Sequence, residues 1–302
     1  MIAIDLGSNT FRVVSCDCRS GDWNGEFERI VRTADRLHET GRISDGAVDR
    51  VIAAGRDAAE RFDFAGESVV AVTTAAMRMA SNADEALGRI EAGCGIRFRI
   101  IDDATEARLT MRAVRNRLEC LAQPADDFVL IDIGGGSTEV MFYREGVFES
   151  RSFPVGIVTI AQRCETPDAV RELLQSELEP VREYVDKRYA AEGRPATFVA
   201  TAGTPTTIAA FLRGMTYETY DASLINGTVL SFEECDTALE GLLALGDAER
   251  ALYVGVGKET LIVAGVVIVE AFYELLGFED AVIVDDGLRE GVALAWCDGE
   301  RF

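Results

Sequence analysis

The feature that most limits what this chain can fold into is a segment that occurs twice. Ile2-Ala-Ile-Asp5-Leu-Gly7-Ser8-Asn9-Thr10-Phe-Arg-Val-Val14 lines up without gaps against Val129-Leu-Ile-Asp132-Ile-Gly134-Gly135-Gly136-Ser137-Thr-Glu139-Val-Met141. In each copy an apolar run ends in Asp, a turn of small residues carries a hydroxyl side chain, and a second β-rich run follows. Each copy predicts a β-hairpin with a phosphate-sized turn. Two copies this far apart point to two related lobes, because a solenoid needs a shorter period and more repeats.

Around the hairpins, predicted strands alternate with helices, which gives an α/β class with mixed sheets where the hairpins lie. Glu26–Thr33 reads as a third strand, Ser44–Phe64 as a helix with Val48, Val51, Ile52, Ala59 and Phe62 on one face, and Ser68–Thr73 as a buried strand. Asn82 and Glu85 have capping-box spacing ahead of another helix. A strand over Arg97–Ile101 and a helix over Ala104–Leu121 follow. Gln123-Pro-Ala-Asp-Asp127 reads as the seam, so the lobes are expected at 1–124 and 125–302. The second lobe should hold strands near Phe128–Asp132, Thr138–Tyr143 and Phe148–Phe153. Next comes one helix from Thr166-Pro167 to about Tyr189. A strand over Thr197–Thr201 enters a turn at Gly203 and a helix at Thr206–Leu212, and Ser231 with Glu234 forms a second capping box. A buried helix over Glu259–Leu276, a strand over Ala281–Val284 and a helix over Gly287–Trp296 complete the chain.

Composition narrows the ligand. Asp and Glu number 52 against 30 Lys and Arg, a net charge of −22. No broad basic face can be built from that balance, so DNA, RNA and anionic membranes are not expected partners. An anionic ligand would have to be held by a few local Arg and Lys, by backbone N–H groups or by a bound cation. The single histidine, His38, leaves no Ser–His–Asp triad or His-rich zinc site, and acid–base work falls to carboxylates. The seven cysteines form an odd, scattered set without C-x-x-C, read as reduced thiols of a cytoplasmic protein. The start lacks a basic stretch before an apolar one, so no secretory signal is expected. The greasiest run, Leu261 to Val269, is too short to span a bilayer and reads as a buried helix.

The chemistry is expected at three turns. A phosphate needs several converging N–H donors and no obstructing side chains. Gly7-Ser8-Asn9-Thr10 and Gly134-Gly135-Gly136-Ser137 supply small residues and hydroxyls for that purpose. Asp5 and Asp132, just before each turn, would place a carboxylate beside the phosphate to hold Mg²⁺ through water. A third turn, Thr201-Ala202-Gly203-Thr204, joins an apolar strand to a helix N-terminus, where unpaired N–H groups favour an anion.

The order of these three turns resembles the actin-like ATPase, heat-shock chaperone and sugar kinase superfamily, in which two lobes close on a phosphate-bearing ligand. More sharply, the chain resembles the exopolyphosphatase / guanosine pentaphosphate phosphatase (Ppx–GppA) family. The matches are Ala3-Ile-Asp-Leu-Gly-Ser-Asn-Thr10, Thr74-Ala-Ala-Met-Arg78 with Asn82, Glu106-Ala-Arg-Leu109, Asp132-Ile-Gly-Gly-Gly-Ser-Thr-Glu139, Pro154-Val-Gly156, Ala202-Gly-Thr204 and Asp286-Gly-Leu-Arg-Glu-Gly291. They run in order almost from end to end, and the Asp132–Glu139 octet is the most specific.

The resemblance implies a two-lobed actin-like (ribonuclease H-like) fold whose last helix returns to the first lobe. It also implies hydrolysis of a terminal phosphate from polyphosphate or guanosine pentaphosphate. Glu106 matches the general base, Glu139 a second essential carboxylate near metal and water, and Arg78 an arginine directed at the phosphates. Asp5, Asp132 and Glu139 are the implied metal residues, with Mg²⁺ or Mn²⁺ both admitted by oxygen ligands. Gly203, Thr204 and Lys258 join the phosphate-binding set, and a homodimer is the assembly common among relatives. Two departures stand out. Thr105 occupies a place where many relatives have an acid, and Lys258 stands where the family often has Arg, without its bidentate fork. Longer members carry a C-terminal helical domain that helps form a basic channel for long polymers. Its absence from this sequence, with the net charge of −22, leads to an expectation of short polyphosphates or a nucleotide. An ATP-dependent small-molecule kinase and a non-catalytic sensor of guanosine tetra- or pentaphosphate are the alternative readings.

Overall fold

The first copy of the repeated segment folds as an antiparallel hairpin in the computed structural model, which describes residues 1–301. β1 (Ile2–Leu6) pairs with β2 (Thr10–Cys16), placing Asp5 opposite Arg12, and β2 pairs with β3 (Trp23–Ile30). After α1 (Leu37–Thr40) and α2 (Asp45–Ala59), β4 (Val69–Thr73) joins β1 in parallel. Then come α3 (Ala75–Met79), α4 (Ala83–Cys94), β5 (Phe98–Ile100), parallel to β4, and α5 (Asp103–Cys120). The resulting sheet has the order β3-β2-β1-β4-β5. Strand alternation sorts its faces. Ile2, Ile4, Leu6, Phe11 and Val13 pack under α2 and α4, whereas Ala3, Val14 and Val72 lie on the opposite face with Leu109 of α5.

The second copy repeats this plan. β6 (Asp127–Ile133), β7 (Thr138–Arg144) and β8 (Val147–Phe153) are antiparallel, with Asp132 opposite Glu139. Next are α6 (Ile157–Ala161), α7 (Pro167–Glu177), α8 (Glu179–Glu192), β9 (Thr197–Thr201), α9 (Gly203–Leu212) and α10 (Ala222–Ile225). They are followed by β10 (Thr228–Ser231), α11 (Phe232–Ala244), α12 (Asp247–Val254), α13 (Leu261–Leu276) and β11 (Asp280–Ile283). The sheet runs β10-β11-β9-β6-β7-β8. Read from β8, it has the order and strand senses of the first sheet, with β10 added as an antiparallel edge. α13 is buried along nearly its whole length, as its run of apolar residues requires.

The last helix, α14 (Leu288–Cys297), packs through Leu288, Val292 and Ala293 on the Ala3–Val14–Val72 face of the first sheet. The chain divides into compact units of Met1–Ala113 with Asp286–Phe302, and Val114–Asp285. The boundary lies earlier than the expected 1–124 and 125–302 because α5 is one continuous helix through it, and the Gln123–Asp127 stretch falls inside the second unit. Gly291 is what lets α14 sit so close: a Cβ there would lie 2.0 Å from the Leu109 carbonyl oxygen of α5.

Several local expectations shift. The helix expected from Pro167 to Tyr189 is two, α7 and α8, broken at Leu178 ahead of Pro180, which lacks the N–H to continue the ladder. Asn82 does not cap α4; its amide bridges to the Ile43 backbone, accepting at 2.8 Å and donating at 3.0 Å. The Ser231–Glu234 box forms in both directions, at 3.2 and 2.8 Å. The cysteines are not all reduced: Cys18, in the β2–β3 connection, is disulfide-bonded to Cys297 at the end of α14. Nothing in their spacing announces a bond across 279 residues, since only the return of α14 brings them together. No helix among the described residues is long and apolar enough to cross a membrane.

A cross-link closing so long a loop contributes on the order of 2–4 kcal/mol. Cys18→Ser and Cys297→Ser are each expected to lower the thermal unfolding midpoint. Dithiothreitol should lower the wild-type midpoint similarly and leave the variants unmoved. Equal midpoints for all samples would show that the bond does not stabilise the fold.

Candidate active site

Both repeated turns are closed by the same hydrogen bond and tied down by a following segment, at carbonyls one position apart in the alignment. The Gly7 N–H donates to the Thr10 carbonyl at 3.0 Å, and the Gly134 N–H donates to the Ser137 carbonyl at 2.9 Å. In the first turn the Ser8 carbonyl accepts from the Ala34 N–H, and the Asn9 carbonyl accepts from those of Val31 and Arg32, at 2.8–2.9 Å. In the second, the Gly134 carbonyl accepts from Ile157 at 3.0 Å, and the Gly135 carbonyl accepts from Val158 at 2.8 Å and Thr159 at 3.3 Å. No peptide bond among the described residues is cis, so a carbonyl fixed on one side aims the following N–H to the other. The N–H groups of Asn9 and Thr10, and of Gly135 and Gly136, are thereby turned away from the supporting segment. That is the arrangement an anion requires.

Beside the first turn stands a charged layer. Asp5, Arg12 and Glu28 are successive cross-strand neighbours, and Arg12 Nε donates to Glu28 at 2.8 Å. From α14, buried Arg289 pairs with Glu290 and, at 3.1 Å, with Glu26. Glu290 also accepts from the Gly287 N–H at 2.8 Å, which closes the start of α14. Asp5 Oδ1 is sealed from solvent and accepts no hydrogen bond. Burial pushes the Asp5 carboxyl up to about 6, against the pull of Arg12 and Arg289. An orphaned carboxylate oxygen beside an anion-ready turn fits a hard divalent cation.

In the second unit, Glu139 is 4% exposed, and its Oε1 accepts from Ser137 at 2.9 Å and from Ser152 at 2.7 Å. Ser152, directly across from Glu139 on β8, was not a sequence candidate. Its signal was available: it lies in the strand leading into Pro154-Val-Gly156, on the side of β8 that meets Glu139.

Glu106 lies in the first turn of α5, whose start is fixed by the Thr105 N–H donating to Asp102 at 2.7 Å. Hydrogen bonds from Thr105 hold the Asp102 carboxyl below its usual range. Thr105 thus serves the helix start. Arg78, at the end of α3, turns toward this same helix, donating to Glu106 at 2.9 Å and to the Ile101 carbonyl at 2.8 Å, and pairing with Asp103.

The third turn is strained. Ala202 has φ 76° and ψ −178°, a region that is essentially glycine's, and α9 starts immediately after it at Gly203. Thr204 is 3% exposed and its hydroxyl lies against Gly265 of α13, where a Cβ would approach to 2.5 Å. Its side chain packs α9 on α13. Lys258, in the loop before α13, sits 5.4 Å over the Tyr217 ring. Among the described residues, no group of three or more His, Cys, Asp or Glu is gathered to hold a metal ion unaided.

The model of the Ppx/GppA phosphatase family matches residues 25–300. The chain belongs to that family. Exopolyphosphatase 2 of Mycobacterium tuberculosis is 29% identical over 321 aligned residues, covering 97% of each chain. The guanosine-5'-triphosphate,3'-diphosphate pyrophosphatase of Pseudoalteromonas translucida is 27% identical over 302 residues, covering 96% of this chain and 57% of its own. The Ppx/GppA family member of Aquifex aeolicus superposes with a TM-score of 0.73 at 27% identity, covering 100% of this chain and 98% of that one. An exopolyphosphatase of Cytophaga hutchinsonii shares the fold, with a TM-score of 0.84 at 22% identity over 99% of this chain and 97% of that one. The actin-like α/β class implied by the resemblance is the class observed.

Membership gives the Ppx/GppA motifs a physical content here. Gly156 opens α6, and a Cβ on it would lie 2.4 Å from the Gly135 carbonyl oxygen and from the Gly136 carbonyl carbon. The segment that anchors the second turn can approach it only as glycine. Gly156→Ala is therefore expected to displace Gly135 and Gly136, costing about 1–3 kcal/mol by overpacking. It should also lower phosphate release by more than tenfold, about 1.4 kcal/mol or more in the barrier. Thermal unfolding and turnover measure the two parts.

The Asp5 carboxyl gives a pH test. Its folded value of about 6 lies above the ordinary 3.8, so the folded chain holds a proton in that window that the unfolded chain has lost. Its contribution to stability is complete below about pH 3.8 and is lost as pH rises through about 6. In metal-free buffer, Asp5→Asn should unfold at a higher temperature than wild type at pH 7.5, with the difference shrinking toward pH 4. A lower midpoint at pH 7.5 would contradict the assignment.

Proposed function

We propose that this Ppx/GppA family member is a Mg²⁺-dependent phosphohydrolase that releases terminal orthophosphate from inorganic polyphosphate, guanosine pentaphosphate or both. The observation that carries the reading is a turn built twice with the same closing hydrogen bond, each copy beside a carboxylate and with two N–H groups aimed away from its anchors. Relatives named exopolyphosphatase and pyrophosphatase support both substrate classes.

Phosphoryl transfer asks a protein mainly for positioning and for neutralisation of charge. The turn N–H groups, with the backbone of Gly203 and Thr204, hold phosphate oxygens. Glu106 accepts the proton of the attacking water as its oxygen bonds to phosphorus, and the bond to the bridging oxygen breaks. Glu139 is fixed by two serine hydroxyls. In the second unit the cross-strand pair Asp132 and Glu139 would hold Mg²⁺, and in the first the carboxylate suited to it is Asp5. When bound, the ion screens the charge of phosphate oxygens, and a site of few carboxylates suits it because phosphates and waters complete its shell.

Glu106→Gln should keep the fold and lower phosphate release about 10²–10⁴-fold, the usual size of a general-base effect. Phosphate release from short polyphosphate, long polyphosphate and guanosine pentaphosphate, measured side by side, identifies the substrate. Chelation should abolish turnover and added Mg²⁺ should restore it. ADP formation that depends on an acceptor, with no release in water, would replace this reading with a kinase.

A further inference from the structure

The surroundings of Arg78 depart from the role implied by the resemblance. Its guanidinium Nη1 carries two hydrogens, and its bonds to the Ile101 carbonyl at 2.8 Å and to Glu106 Oε2 at 2.9 Å take both. Nη2 pairs with Asp103 Oδ1. Asp103 and Glu106 are three residues apart on α5 and so share a face, the one that meets Arg78. The pairing is partly sheltered, with the Arg78 and Glu106 side chains 20% and 15% exposed, and Asp103 closes its outer side at 57%.

Two carboxylates around one guanidinium leave a net charge of −1, a poor grip for a phosphate chain. The planar fork instead fixes where the Glu106 carboxylate points, and the Ile101 carbonyl fixes the fork. We propose that Arg78 is a positioning residue for Glu106, held by Asp103 and the Ile101 carbonyl, and that it serves the chemical step rather than phosphate binding. This rests on the reading of Glu106 as the base.

The test is steady-state phosphate release by the full chain with Arg78→Gln, Asp103→Asn, Glu106→Gln and the Arg78→Gln/Glu106→Gln double variant. Arg78→Gln should lower kcat about 100-fold, the cost of a misplaced catalytic group, with KM within about threefold of wild type. Asp103→Asn should lower kcat about fivefold to tenfold with KM unchanged, as expected for losing one of the fork's two carboxylates. The double variant should be no slower than Glu106→Gln, because residues acting as a unit are not additive. A tenfold rise in KM with kcat retained in Arg78→Gln would overturn the proposal and return Arg78 to the phosphates. Wild-type parameters in Asp103→Asn would remove Asp103 from it. Asp103 is exposed, so its variant keeps the question answerable even if Arg78→Gln fails to fold. Wild-type turnover in Glu106→Gln would instead overturn the function reading itself, a result separate from the other two.

Discussion

The organisation of the active residues depends on a backbone constraint: a trans peptide whose carbonyl is tied down must present its neighbour's N–H on the other side. Residues 31–34 tie down one turn, and residues 157–159 the other. Each supporting segment follows the third strand of its hairpin, so the repeated unit is larger than the sequence match that reveals it. Sheet order, strand sense and the supporting segment all repeat, while the side chains that cover them do not.

That divergence separates the units by chemistry. The position opposite Asp5 is Arg12, backed by Glu28, and the position opposite Asp132 is Glu139, backed by Ser152. One hairpin therefore surrounds its aspartate with compensating charges, and the other supplies a second carboxylate steadied by hydroxyls. A duplicated backbone with unlike side chains can divide binding and metal-holding between its copies.

Much of this was legible in the sequence because it is local. The hairpins, the Ser231 cap and the buried α13 follow from patterns within a few residues of one another. What escaped is non-local. Ser152 and Asp103 gain their roles only from partners across a strand or on another helix, and the packing of the Thr204 side chain against Gly265 joins residues far apart in the chain. Cys18 and Cys297 are separated by nearly the whole chain. Gly156 and Gly291 stand out as motif residues, but their reason, backbone touching backbone, needs coordinates. The Pro180 break was within reach, since the proline is in the sequence and the rule against its interior place in a helix is firm.

The return of α14 has a consequence for how this protein is made. The second unit is contiguous in the chain, whereas the first needs both the opening strands and the final helix. On a ribosome the amino-terminal sheet emerges early, yet the Ala3–Val14–Val72 face stays without α14 until the whole second unit has been made. The part begun first is thus completed only after the second unit, and during that wait an apolar surface is open to chaperones or to neighbouring nascent chains.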